Sequence, residues 1–301
     1  MPELREYLND LGLMLLPGRW SRRRAERQRG SDLLREFQRL SDLRSVACDV
    51  TALRSLTRLQ IGEMFKNHAI DAEWRDVERT LGTLELPEFT GGVNPGDQRA
   101  IYYLIRYLRP SRVLEIGTHI GCSTLSAALA LNRIRNLDNT FTPALVSVDI
   151  RDVNDETEQP WMQAGASYSP ARMLELARCR DVVDFAVCPS LEFLTSRCDT
   201  AAFDFIFLDG DHSAPTVYQE FPAALRRLAP GGLILLHDYF PNLSPLWSNN
   251  AVVPGVFLGL QRLLNEGAEF SVLPLGELPW PTKLGSCVTS LALAAATGRN
   301  E

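Results

Sequence analysis

Val113-Leu114-Glu115-Ile116-Gly117-Thr118-His119-Ile120-Gly121-Cys122-Ser123 is the stretch that decides how the chain reads. A short apolar, β-branched run enters Glu115-x-Gly117-x-x-x-Gly121, and from Ser123 onward Leu125, Leu129 and Leu131 signal a helix. Strand, glycine turn and helix start, in that order, predict a parallel α/β sheet. Its turn brings bare backbone close to a ligand and its helix offers unpaired N–H groups.

His119 occupies the place of the middle glycine in a dinucleotide fingerprint. A pyrophosphate needs bare backbone packed around two charged groups, so His119 turns the reading away from a nicotinamide cofactor. It points to a nucleoside carrying an amino-acid tail. Asp149, at the end of the next candidate strand, suits the two hydroxyls of a ribose.

Outward from this centre, apolar runs at 112–116, 145–150, 182–187, 203–208 and 233–237 alternate with helical stretches, the signature of βαβ units. Ser169-Pro170 supplies an N-cap and a proline for the first helical turn, residues 222–228 read as a helix, and a further helix is expected at 256–264. Two late runs, 269–273 and 286–293, would pair antiparallel at one edge. The predicted fold is α/β: a Rossmann-like, mostly parallel seven-stranded sheet with an antiparallel edge pair, plus an N-terminal helical extension.

Residues 1–90 form that extension in this reading, as a lid or a dimerisation surface, and residues 91–301 form the catalytic domain. Leu4, Leu8, Leu11 and Leu15 fall on one helical face, and Ile70, Trp74, Val77, Leu81 and Leu84 on another. Pro17-Gly18 separates the first helix from an arginine-rich connector, and Ser31-Asp32 caps a helix bearing Leu33, Leu34, Phe37 and Leu40. The boundary is placed near residue 90, where Pro87 and Thr90-Gly91-Gly92 break the pattern.

The 301 residues suffice for one large domain with an appendage. With 45% hydrophobic and 23% charged residues, disorder and fibrous classes are excluded. A net charge of -6 argues against nucleic acid as a partner. Six cysteines without a Cys-x-x-Cys pair or a histidine cluster signal neither zinc finger nor redox motif, and reduced thiols in a cytoplasmic protein are expected. The apolar run at 11–16 is too short to span a bilayer, so no membrane partner is expected.

The fourth and fifth strands end in Asp209-Gly210-Asp211-His212 and His237-Asp238-Tyr239. Ligands of an open parallel sheet bind beyond the carboxyl ends of its strands, so both clusters should face the crevice of Gly117 and Asp149. His212 is the candidate general base, because an imidazole titrates near neutrality, with Asp211 to orient it. Asp209, His237 and Asp238 are candidate ligands for a divalent ion such as Mg2+, although His237 weakens the oxygen set that Mg2+ prefers.

Residues 113–131 with Asp149, and 205–239, resemble class I S-adenosylmethionine (SAM)-dependent methyltransferases. More narrowly they resemble the small-molecule O-methyltransferase branch, with its catechol O-methyltransferase-like and macrolide-sugar enzymes. The resemblance covers about 92–293 and implies SAM as cofactor. It puts Gly117 and Gly121 along the methionine portion and Glu115 beneath the turn. Thr118, Ser123 and Asp209 are added to the cofactor contacts, Asp149 binds the ribose, and Ser190 reads the adenine edge, since Pro189 stands where many relatives carry an acid. Gly92-Val93-Asn94 resembles the segment that closes over the cofactor.

The expected activity is methyl transfer to a hydroxyl of a small molecule, a natural product or sugar, with a homodimer through the N-terminal helices. Two alternatives stand beside it: methyl transfer to nitrogen or sulfur without metal, and a noncatalytic SAM-fold module that binds a protein.

Overall fold

The computed structural model describes residues 18–41, 43, 58–87, 92–196 and 202–296. The helix expected around Leu4 to Leu15, residues 88–91 at the expected boundary, and Cys48 and Cys198 lie outside them. Four helices precede the sheet: α1 (Gly18–Ser41), α2 (Arg58–Met64), α3 (His68–Gly82) and α4 (Pro95–Leu108). The sheet and its crossovers follow as β1 (Arg112–Ile116), α5 (Cys122–Leu137), β2 (Ala144–Asp149), α6 (Pro160–Gln163), α7 (Pro170–Leu176), β3 (Val183–Val187), α8 (Ser190–Thr195), β4 (Phe203–Leu208), α9 (Ala214–Arg226), β5 (Leu228–Leu236), α10 (Gly255–Asn265), β6 (Phe270–Pro274) and β7 (Ala292–Ala296).

The seven strands lie in the order β3-β2-β1-β4-β5-β7-β6. The first five are parallel, and β7 runs antiparallel to both β5 and β6. The chain order therefore reverses between β1 and β4, and a crevice opens at their carboxyl ends. Successive residues of a strand point to opposite faces, and the core divides accordingly. Val113, Phe205, Phe207 and Leu235 pack under α3, α4 and α5, whereas Leu114, Ile116, Ile206 and Leu236 pack under α9 and α10.

Local chemistry sets the helix starts. Asn94 accepts a hydrogen bond from the Asp97 N–H and Pro95 stands in the first turn of α4, while Ser169 caps α7 through the Arg172 N–H. At the far end of α4, Arg109 takes the left-handed conformation and closes the helix.

Three local readings are corrected. The helix expected to begin at Ser31-Asp32 begins at Gly18, so the arginine-rich stretch is helical rather than a connector. Arginine is a good helix former, and nothing there breaks the chain. The helix expected at 222–228 is α9, which runs from Ala214 to Arg226 with Pro222 inside it. The strand expected at 233–237 is β5, which already begins at Leu228, so Pro230-Gly231-Gly232 belongs to its opening, beside an irregularity in the β4–β5 register.

The described helices before residue 90 join the same core. Leu40 of α1 belongs to the cluster under α9 and α10, and the Arg262 guanidinium of α10 donates to the carbonyls of Leu40 and Leu43. On the opposite side Arg106 of α4 grips Glu73 of α3 bidentately, at 2.7 and 2.9 Å. Burial raises the Glu73 carboxyl pKa, but Arg106 and Arg133 override it and hold it below its ordinary value.

Candidate functional site

β1 stops at Ile116 because Gly117 turns the chain at φ 95°, where its N–H donates to the Val148 carbonyl at 2.8 Å. A Cβ here would stand 2.2 Å from the Asp209 carbonyl oxygen, so only glycine lets the ends of β1 and β4 approach this closely. The turn then runs through His119, at φ 49°, to Gly121, which opens α5 in the left-handed conformation with no side-chain cap. The start of α5 thus keeps its N-terminal N–H groups free of side-chain capping.

Two carboxylates brace this turn. Asp149 accepts the N–H groups of Thr118 and His119 on one oxygen, at 3.2 and 3.0 Å, and that of Arg151 on the other, at 3.0 Å. Glu115, 2% exposed, lies beneath the turn and accepts hydroxyls from Thr124 at 2.5 Å and Ser147 at 2.6 Å. Burial pushes its pKa up to about 7 against those hydrogen bonds.

A cleft of about 210 Å³ opens above the turn. It is lined by Gly117, Thr118, His119, Ile120, Cys122 and Ser123 of the turn, by Asp209, Gly210 and His212 beyond β4, and by Gly92 and Val93. Trp161 and Ala166, from the segment after β2, pack behind Ile120 and Cys122. Ile150, next to Asp149, is 70% exposed and offers an apolar face at the sheet edge.

At the chemical end, His237 Nδ1 lies 2.8 Å and His212 Nε2 3.4 Å from Asp209 Oδ1. One ligand atom from each of these three residues falls within 4.8 Å of the others. Burial raises the Asp209 pKa, but the two imidazoles override it and hold the carboxyl at about 2. In return, burial lowers both histidines while Asp209 and Asp238 raise them, and the net for each is upward, well above the ordinary value for His237. Asp238 stands alongside, with Oδ2 3.7 Å from His212 Nε2 and Oδ1 accepting from the Ser290 hydroxyl at 3.3 Å.

His237 Nδ1 is buried, and its closest polar neighbour among the described contacts is the Asp209 carboxylate, at 2.8 Å. With no ion present that nitrogen pairs with the carboxylate as an N–H; on losing its proton it offers a lone pair beside Asp209 and a second imidazole, as a metal ligand does. These residues could hold a divalent ion.

Among the residues assigned from sequence to the cofactor, Gly117, Thr118, Ser123 and Asp209 line the cleft. Gly121 and Asp149 frame the turn from outside. The Thr118 hydroxyl points inward to Ser147 at 2.6 Å, leaving its backbone to the cleft. The Glu115 carboxylate faces the interior, and the Ser190 hydroxyl donates to Glu220 of α9, a buried carboxyl whose pKa burial raises to about 7. Asp211 makes no hydrogen bond to His212 among the described contacts; its carboxylate accepts from the Ser213 N–H and hydroxyl and from the Thr216 hydroxyl at the start of α9.

Three contributors were not found from sequence. Asp97 is fully buried, and its Oδ2 lies 3.8 Å from His237 Nε2. Its residue was read only as part of a boundary turn. Glu36 of α1 accepts the Ala214 N–H at the head of α9, directly after His212. The third is Gly255, at the start of α10. A Cβ there would stand 2.1 Å from the His212 carbonyl oxygen, so this glycine makes room for the His212 loop. Only a helix-start pattern at 94–97 could have drawn attention to Asp97.

Residues 114–239 match a family model described as a methyltransferase domain, and every site residue from Glu115 to Asp238 lies inside that match. The chain is 28% identical over 156 residues to caffeoyl-CoA O-methyltransferase 2 of Zea mays, covering 50% of this chain and 48% of that protein. It thus spans about half the length of that relative. The O-methyltransferase TomG from Streptomyces achromogenes, involved in tomaymycin synthesis and solved with SAM, aligns with a TM-score of 0.50 at 19% identity over 82% of this chain and 92% of its own. A Klebsiella pneumoniae protein described as an O-methyltransferase aligns with a TM-score of 0.50 at 21% identity over 81% and 91%. At these identities the structural likeness is one of fold.

Proposed function

We propose that this chain, which carries a methyltransferase domain at residues 114–239, transfers the methyl group of SAM to a hydroxyl of a small molecule. The observation that carries this reading is that the glycine turn and the Asp209–His212 pair line one cleft. The uncapped start of α5 suits the carboxylate of the methionine tail. Asp149 and Ile150 suit the ribose and the flat base beyond it.

In the reaction the acceptor oxygen attacks the sulfonium methyl carbon, the carbon–sulfur bond breaks, and the electron pair stays on a neutral thioether. The hydroxyl proton goes to neutral His212, the imidazole on the cleft wall, and Asp209 at 3.4 Å stabilises the imidazolium that results. Asp209, His237 and Asp238, with His212 beside them, would hold a divalent ion. Such an ion, when bound, lowers the acceptor's pKa and orients it. The caffeoyl-CoA relative supports an oxygen acceptor on an organic small molecule, in keeping with a role in natural-product chemistry.

Free thiols at Cys122, Cys179, Cys188 and Cys287 fit a reducing compartment such as the cytoplasm. Among the described residues no helix is long and apolar enough to cross a membrane. Leu34 and Phe37 of α1, 61% and 58% exposed, support a homodimer formed through the N-terminal helices.

The test is calorimetric titration with SAM and NADH, followed by transfer of a radiolabelled methyl group to a panel of catechols, phenols and sugars. Binding of SAM and label transfer to an oxygen is the expected result. Binding of NADH alone, or transfer only to amines or thiols, overturns the reading.

A further inference from the structure

We infer that Asp209, His212 and His237 form a site for a borderline first-row transition ion of the Fe2+, Co2+ or Zn2+ class rather than for Mg2+. The inference rests on the reading of this cleft wall as the acceptor end of the site, and it deepens that reading by naming the ion and making His212 a ligand. His212 serves as base in the ion-free protein and as ligand in the loaded one.

The donor set argues first. One carboxylate and two imidazoles within 4.8 Å of one another match the spread of donor atoms around a single ion with bonds of about 2.0–2.2 Å. Mg2+ takes oxygen ligands almost alone and dehydrates reluctantly, whereas imidazole nitrogen suits the borderline ions. Even with Asp238 alongside, two imidazoles stand with two carboxylates, and half the donor set is nitrogen, which makes the site poor for Mg2+.

The histidine geometry argues independently. His237 Nδ1 is buried with the Asp209 carboxylate 2.8 Å away, so an ion that displaces its proton finds a lone pair and a carboxylate oxygen side by side. For Nδ1 to be a ligand, Nε2 must carry the proton, and a carboxylate must face it. Asp97, fully buried, faces Nε2 at 3.8 Å and is itself fixed by Asn94 Nδ2 at 2.6 Å and the Thr289 hydroxyl at 2.5 Å. A carboxylate behind a ligating histidine sets its tautomer and ring orientation. This gives Asp97 a positioning role. Asp209 and His212 also line the cleft, so the open coordination positions face the acceptor.

The test uses the full chain, stripped with chelator and titrated separately with Co2+, Zn2+ and Mg2+ by calorimetry, with Co2+ absorption as a spectroscopic readout. Expected are one Co2+ or Zn2+ per chain, bound at least about 100-fold more tightly than Mg2+, and a visible ligand-field band that shifts in His212→Ala. Asp97→Asn lowers Co2+ affinity by roughly 10–100-fold, as a lost outer carboxylate should. SAM titration of each variant reports that the domain is folded, and His212→Gln is the second variant should His212→Ala fail to bind SAM. Mg2+ binding as tight as Co2+ overturns the inference, as does a Co2+ band unchanged in His212→Ala. Co2+ binding with the expected variant effects but no methyl transfer sinks the proposed activity and leaves the metal site standing.

Discussion

Replacing Glu115 by Gln removes a charge without changing shape, and the structure fixes the pH range over which that matters. Glu115 is 2% exposed with no cation beside it, and three hydroxyls, from Ser123, Thr124 and Ser147, donate to it. Burial outweighs those bonds and raises its pKa from 4.5 to about 7. The folded state therefore binds more protons than the unfolded one between these values, so stability falls as pH rises through that range. At 1.36 kcal/mol per unit the loss is about 3 kcal/mol, complete above about pH 8. Gln keeps an acceptor for the donating hydroxyls, and a hydroxyl can rotate to accept from its amide.

Urea unfolding of both proteins at intervals from pH 4.5 to 8 measures the difference. The variant should gain about 3 kcal/mol on the wild type between those ends, most of it below pH 7. Glu220, raised to about 7 by the same cause, is present in both proteins and cancels in the comparison. A difference that stays flat from pH 4.5 to 8 would refute the reasoning, because Glu115 would then ionise as freely folded as unfolded.

Gly255→Ala pushes a Cβ against the His212 carbonyl, 2.1 Å away, and should slow methyl transfer at least about tenfold while the SAM Kd stays within about twofold. Steady-state kinetics beside SAM titration separates these. Asp149→Ala leaves the Thr118 and His119 N–H groups without their acceptor, and SAM affinity should fall at least about tenfold by calorimetry. Arg106→Ala strands Glu73 with Arg133 at 3.4 Å as its remaining cation, and urea unfolding should register a loss of about 3 kcal/mol with SAM contacts intact.

Much of the architecture was legible because it depends on neighbours in sequence. Strands β1 to β4 and the crossover helices announce themselves by period-2 and period-3.6 apolar patterns and by caps such as Ser169-Pro170. The late runs signalled an edge pair, since two strands remain after five parallel ones. What pattern could not give was extent: α1 runs back through the arginine-rich stretch, because a charged, helix-forming segment carries no apolar stripe to mark it.

The site divides along the same line. The sequence by itself determined that a glycine turn follows β1 and that acids and imidazoles end β4 and β5, since parallel strands bring their carboxyl ends to one edge whatever the loops do. Tertiary structure decided where each side chain turns. Glu115 goes inward to three hydroxyls, Asp211 turns to Ser213 and Thr216, and Ser190 goes to Glu220. The same packing sets Asp97 behind His237, Glu36 at the head of α9 and Gly255 under the His212 carbonyl. The physical reason is that a strand's pattern fixes its backbone position, while a polar side chain near its end turns toward whichever partner the packing of distant segments supplies.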